Sequence, residues 1–188
     1  TVTKICDYAF YESKITRVDI PDSVNYIGDY AFYNCSELNS ATLPDNADYI
    51  GTAAFRGCYW LKSIEIPNGI EKIEDNTFRD CDNLLSVKLP ETLKSIGDYS
   101  FEDCGLENLI IPNGVEYIGN YAFFKCNSLI DVIIPDSVKS LGSAAFSCLN
   151  LKNITIGEGV VEIGSGAFGC NNLSVVNYKG NLSKWCDI

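Results

Sequence analysis

The chain has 188 residues, of which 46% are hydrophobic, enough to bury a continuous core in one domain. Its formal net charge of −11 and its lack of His oppose binding to nucleic acids and anionic membranes, because that binding depends on basic residues. No apolar run is long enough to span a membrane, and Thr1 opens the chain without a charged-then-apolar leader. We therefore expect neither a membrane span nor a signal peptide in this segment.

A single Phe recurs every 22 or 23 residues along the whole chain, at Phe10, Phe32, Phe55, Phe78, Phe101, Phe123, Phe146 and Phe168. The prolines keep the same period, at Pro21, Pro44, Pro67, Pro90, Pro112 and Pro135, and Gly157 takes the next position. A fixed period of this length predicts equivalent coils that stack into one array. We expect a single domain over 1–188, with a partial coil 1–14, coils 15–37, 38–60, 61–83, 84–105, 106–128, 129–150 and 151–172, and a closing segment 173–188.

Within a coil, the segment before the proline alternates between apolar and polar residues. Ile64-Glu65-Ile66 shows this period of two, which indicates a short half-buried strand, and Pro67 ends the strand because proline cannot donate to a ladder. Since each coil repeats the pattern in the same direction, the array predicts a parallel sheet with one strand per coil.

The second half of a coil runs toward the repeated Phe. It reads Ile27-Gly28-Asp29-Tyr30-Ala31-Phe32 in its clearest form. Here we expect Asp29 to cap a turn of helix or 3₁₀ helix and the preceding Gly28 to adopt a positive φ. The same role is expected for the equivalent residues Asp75, Asp98 and Asn120.

The pattern Leu-x-x-Ile-x-Ile-Pro-x-x-Val-x-x-Ile-Gly-x-x-Ala-Phe-x-x-Cys closely resembles the BspA-like, or Treponema-type, class of leucine-rich repeats, over nearly the whole chain. The resemblance implies a right-handed repeat solenoid. Its parallel β-sheet would lie on the concave face, and short strands and helical or 3₁₀ turns on the convex side. It also implies an extracellular or cell-surface location, since bacterial and protist members include surface adhesins.

The two ends of the chain carry further expectations. The tail, with Trp185 near its end, resembles the closing segment of bacterial members, and we expect Trp185 to cover the core of the last coil. Thr1 enters midway through a coil, which is compatible with an array that extends upstream.

Seven cysteines form a ladder with the same period, at Cys35, Cys58, Cys81, Cys104, Cys126, Cys148 and Cys170. A row of thiols without His cannot surround zinc, and equivalent side chains in stacked coils point in the same direction. We expect buried free thiols, and no cofactor or metal. One alternative is calcium shared by the carboxylates that follow the prolines, although Asn68 and Asn113 interrupt that row.

The sequence predicts a protein that is not an enzyme. An active site needs an activated nucleophile or a tuned acid–base pair in a cleft. Without His the candidates reduce to carboxylates, and their position in the turn after each proline is explained by turn formation.

The outward strand positions define the candidate binding surface, because they vary while the inward positions repeat. The candidate residues are Ile110, Ile133, Glu65, Lys88, Asn108 and Asp131. Ile110 and Ile133 are equivalent residues of successive coils, and two interpretations stay open: an apolar anchor for a partner, or a cross-strand pair that favours sheet formation.

The leading hypothesis is a monomeric, non-catalytic module for protein–protein interaction or adhesion. Its partner would be a host or extracellular-matrix protein bound on the concave face. One alternative is a structural spacer that carries other domains. The other is a carbohydrate-binding module that uses recurring tyrosines, although packing between coils also explains them. These tyrosines are Tyr26, Tyr49 and Tyr117 in one position of the coil, and Tyr30, Tyr99 and Tyr121 in another.

Overall fold

The fold is built from two short strands in most coils. The structure is a computed structural model that describes residues 1–181. The chain winds as a parallel β-solenoid of about eight turns. The expected closing role of Trp185 lies outside the described residues. No helix in the described part of the chain is long and apolar enough to cross a bilayer.

The longer strands precede the proline positions and form the predicted row. They are β2 (Arg17–Asp19), β4 (Ser40–Thr42), β6 (Ser63–Glu65), β8 (Ser86–Lys88), β11 (Asp131–Ile134), β13 (Asn153–Ile156) and β15 (Val175–Tyr178). A second row consists of two-residue strands, whose positions the alternation in the sequence did not predict, although the resemblance implied short strands outside the main sheet. These are β1 (Lys4–Ile5), β3 (Tyr26–Ile27), β5 (Tyr49–Ile50), β7 (Lys72–Ile73), β9 (Ser95–Ile96), β10 (Tyr117–Ile118), β12 (Ser140–Leu141) and β14 (Glu162–Ile163).

All strand pairs are parallel and join equivalent residues, as Ile133 with Thr155 between β11 and β13. The longer strands form three separate sheets, β2-β4, β6-β8 and β11-β13-β15. In the second row, β1-β3-β5 is separate from the sheet that contains β7, β9, β10, β12 and β14. Both rows are therefore interrupted between coils 38–60 and 61–83.

A column of stacked Phe rings fills the centre of the solenoid. Phe32 and Phe55 lie with their ring centroids 5.0 Å apart, and Phe101 and Phe123 at 5.2 Å. Six of these rings, from Phe32 to Phe146, are fully buried between the aliphatic residues of both strand rows. Since each ring is covered by the coils on either side, a coil is stable only in the stack.

The predicted helical or 3₁₀ turns on the convex side are wrong for residues 1–181, where no helix forms. Left-handed residues interrupt the chain there every few positions, as at Tyr30 (φ 55°) and Asn34 (φ 52°). They turn alternate N–H groups toward the next coil, where Phe32 N donates to the Ala54 carbonyl oxygen at 2.7 Å. This ladder between coils replaces the hydrogen bonds that a helix would make within one coil.

The expected roles of Gly28 and Asp29 are also corrected. Asp29 Oδ1 accepts the N–H of Thr52, the equivalent residue of the next coil, at 2.9 Å. Gly28 does not adopt a positive φ. Its position is crowded, because a Cβ there would lie 2.3 Å from Asp7 Oδ1. Both residues therefore serve contact between coils.

Candidate protein-interaction face

The outward side of the longer strands and of residues 106–112 is called the sheet face below. It carries all of the candidate binding residues, which are exposed: Ile110, Ile133, Glu65, Lys88, Asn108 and Asp131. Alternation along the strands produces this arrangement. In β11, Asp131 and Ile133 point outward, whereas Val132 and Ile134 are buried. The face is polar along most of its length.

Ile110 and Ile133 break that polarity. Their side chains are 82% and 61% exposed, and Ile110 is the most exposed of the large hydrophobic residues within 1–181. Residues 108–111 form no strand, and β11 pairs only with β13. The two isoleucines are therefore not a cross-strand pair within a hydrogen-bonded ladder.

A groove of about 640 Å³ crosses the sheet face where β4 and β6 are unpaired. Its charged lining residues are Asp45, Glu65, Lys88 and Glu91. The Lys88 ammonium forms an ion pair with the Glu65 carboxylate of the neighbouring strand. Asp45 and Glu91 enter no ion pair within residues 1–181, which leaves the groove with a net negative charge.

Five of the six recurring tyrosines stack on an equivalent ring of the neighbouring coil. The rings of Tyr99 and Tyr121 are 5.0 Å apart and 2° from parallel, and those of Tyr26 and Tyr49 are 4.9 Å apart. Stacking of equivalent rings occupies the faces that a sugar would need. Contact between coils accounts for the stacked rings, whereas Tyr117 makes no ring contact within residues 1–181 and is 40% exposed.

The cysteine ladder is part of the core. Cys104 Sγ donates to the Phe78 carbonyl oxygen at 3.1 Å, and the equivalent bond recurs from Cys35 to Cys170. All cysteines within residues 1–181 are free thiols. Burial raises the pKa of Cys104 and Cys126 well above the ordinary value and that of Cys148 to about 12, which disfavours the reactive thiolate.

Two of the carboxylates that follow the prolines hydrogen-bond to the next coil. Asp22 Oδ1 accepts the N–H of Asp45, and Asp136 Oδ1 accepts the N–H of Glu158, each at 3.2 Å. Within residues 1–181, no group of three or more His, Cys, Asp or Glu residues is arranged to hold a metal ion.

The sequence analysis missed one exposed aromatic pair. Tyr59 and Trp60 are 41% and 57% exposed in the turn between Cys58 and Leu61. The equivalent pairs in several other coils are polar, as in Ser36-Glu37 and Asn127-Ser128. That departure from the repeat is the signal that identifies them.

No curated protein sequence matches the chain. Among solved structures, it is similar to a leucine rich cell surface protein from Faecalibacterium prausnitzii A2-165, with 28% identity and a TM-score of 0.58. The match covers 94% of this chain and 64% of that one, so the chain spans less than two thirds of that protein.

The leucine-rich repeat protein of T. pallidum is 29% identical, with a TM-score of 0.60, and the match covers 92% of this chain and 72% of that one. The pneumococcal vaccine antigen PcpA has a TM-score of 0.60 over 97% of this chain and 61% of its own, and its 22% identity shows a shared fold alone. Six copies of the BspA type leucine-rich repeat region match residues 3–116 and 94–187. The chain therefore belongs to the BspA type leucine-rich repeat family.

Proposed function

We propose that the chain is a non-catalytic protein–protein interaction or adhesion module of a secreted or cell-surface protein, and that it binds its partner through the sheet face, the predicted concave face. The partner would be a protein, for example a host or extracellular-matrix protein, and the module would act as a monomer. Two findings support this proposal: the chain belongs to a repeat family, and it is similar in structure to a leucine rich cell surface protein.

The observation that carries the proposal is the exposed pair Ile110 and Ile133, in a row of otherwise largely polar residues. Exposed aliphatic side chains cost free energy in water and supply binding free energy when a partner covers them. Sheet formation does not account for Ile110, since residues 108–111 form no strand. The neighbouring polar residues Asn108 and Asp131 would form the hydrogen-bonding rim of the contact.

A structural spacer is the first alternative, because a stack of coils can hold other domains apart without binding anything. A carbohydrate-binding module is the second. It is favoured by the exposed ring of Trp60 rather than by the tyrosine rows, since Trp60 presents an aromatic surface to solvent.

The test is a binding screen of the purified chain by biolayer interferometry, against extracellular-matrix proteins and against a glycan array. The proposal predicts saturable binding to a protein that is lost in the Ile110→Asp, Ile133→Asp double variant. The matched control is the Leu149→Asp, Val161→Asp double variant, because these residues are 53% and 68% exposed but lie outside the sheet face.

Each outcome separates the candidates. Loss of binding in both double variants would contradict a site on the sheet face, whereas retention in the control and loss in the isoleucine variant would support it. Binding to glycans that Trp60→Ala abolishes would favour the carbohydrate module. A blank screen on both panels would favour the spacer.

A further inference from the structure

We infer that the sheet face takes an extended segment of the partner protein in which basic side chains lie next to an apolar anchor. This inference rests on the proposed function and specifies the chemistry of the partner. It combines two features of the same face, the groove between β4 and β6 and the exposed pair Ile110 and Ile133.

The charge of the groove selects basic groups. Its only cation is Lys88, whose ammonium is committed to Glu65, whereas Asp45 and Glu91 take part in no ion pair in the described chain. Neither side chain is engaged in a hydrogen bond there, so both carboxylates can accept a Lys or Arg without losing an existing contact.

The spacing of these carboxylates suits an extended segment along the array. Asp45 and Glu91 occupy equivalent positions two coils apart, which corresponds to about 10 Å for strands about 4.8 Å apart. An extended chain covers that length in about three residues. A partner that crosses the groove can therefore place basic side chains opposite both carboxylates.

The apolar pair lies further along the same face, three residues earlier in the coil than the position of the two carboxylates. Ile110 occupies the position of Lys88 in the next coil, and Ile133 that position in the coil after it. A segment that leaves the groove past Lys88 reaches the isoleucines directly, where an aliphatic or aromatic side chain would cover them. Along the array, Asp45 and Ile133 are four coils or about 19 Å apart, so a segment of at least six extended residues is needed to reach both.

Electrostatic complementarity of this kind contributes selectivity and a salt-dependent association rate, while the apolar contact slows dissociation. Removal of the two carboxylates should therefore weaken binding in a salt-dependent way. Removal of the isoleucines should weaken it at every salt concentration.

The test uses the full chain to select from a library of random 12-residue peptides displayed on phage. Enriched sequences are then synthesised and titrated by fluorescence anisotropy. The inference predicts enrichment of peptides with at least two Lys or Arg residues beside an Ile, Leu or aromatic residue. Their affinity should fall roughly fivefold in the Asp45→Asn, Glu91→Gln variant, and that difference should shrink between 50 and 500 mM salt.

The matched control is Glu37→Gln, Glu116→Gln, which removes the same charge from exposed residues outside the groove and should change the affinity less than twofold. Circular dichroism melting curves verify that each variant is folded. Enriched peptides without basic residues that still require Ile110 and Ile133 would overturn this inference and leave the proposed function standing. Equal loss in both charge variants would also overturn it. A lack of enrichment, together with a blank protein panel, would contradict both.

Discussion

The thiol of Cys81 donates a hydrogen bond to the carbonyl oxygen of Phe55, one coil earlier in the stack, at 3.2 Å. The same bond is repeated along the ladder, so each thiol joins its own coil to a main-chain oxygen of an earlier coil. The ladder is thus a structural contact between coils.

This contact predicts which thiols react. With iodoacetamide at pH 8, we expect alkylation of Cys6, which is exposed, well before Cys104 and Cys126, which are buried and carry a raised pKa. Peptide mapping by mass spectrometry measures each site, and the urea-unfolded chain is the control in which the sites should react alike. Alkylation of native Cys126 as fast as Cys6 would contradict the buried ladder.

The raised thiol pKa values predict a loss of stability in alkali. The pKa of the Cys148 thiol is about 12 in the folded chain, whereas in the unfolded chain it returns to the ordinary value of 9.0. The unfolded state therefore binds fewer protons above pH 9, so the free energy of unfolding should fall as pH rises through that value.

Thermal melts between pH 8 and 10 measure the effect, with Cys148→Ser as the comparison. Serine keeps a donor for the Phe123 carbonyl oxygen, which Cys148 Sγ contacts at 3.1 Å, but does not titrate in this range. The variant should lose less stability over this pH interval than the parent chain. If the melting temperatures of the two chains fall in parallel with pH, the Cys148 thiol does not contribute to the loss of stability.

Substitution of Gly57, whose φ lies in the left-handed region, should destabilise the fold. Gly57 has φ 73°, and a Cβ there would lie 2.2 Å from Asn34 Oδ1. We expect Gly57→Ala to lower the free energy of unfolding by about 1–2 kcal/mol in urea denaturation. Ala144→Gly, at φ 52°, is the reverse control and should change it by less than about 1 kcal/mol, because relief of strain offsets the greater freedom of the unfolded chain. Equal losses would contradict the backbone argument.

The contribution of Arg79 to the stability of the fold should depend on the charge of Glu102. Arg79 Nε lies 2.9 Å from Glu102 Oε2, and the Glu102 side chain is only 9% exposed. Arg79→Met leaves a buried carboxylate near Asp80 and Asp103, so we expect a loss of about 2 kcal/mol or more at pH 7.

Burial raises the pKa of Glu102 despite the opposing effect of Arg79. A raised carboxyl pKa favours the folded state at low pH and penalises it as pH increases, so lowering the pH from 7 to 5 should recover part of the loss in Arg79→Met. Glu102→Gln, which removes the charge, is the control and should stay within about 1 kcal/mol of the parent chain. A loss in Arg79→Met that does not change with pH would contradict this reading.

The repeated Phe and Pro positions were sufficient to predict the solenoid and its parallel strands, because a period of 22 or 23 residues constrains every coil to one arrangement. The buried thiols followed from the same period. The prediction of helical or 3₁₀ turns was wrong, because Asp29, before Ala31-Phe32, suits either a helix cap or a hydrogen bond to the next coil. The choice depends on the neighbouring coil, which accepts the N–H of Phe32.

The sequence by itself determined the family, the inward Phe column and the outward position of Ile110 and Ile133, since the alternation and the 22- or 23-residue period are both visible in the order of residues. Only the tertiary structure decided that residues 108–111 leave the sheet, and that a groove opens between β4 and β6. Strand pairing and the space between strands depend on contacts between residues more than twenty positions apart. Local sequence pattern does not encode those contacts.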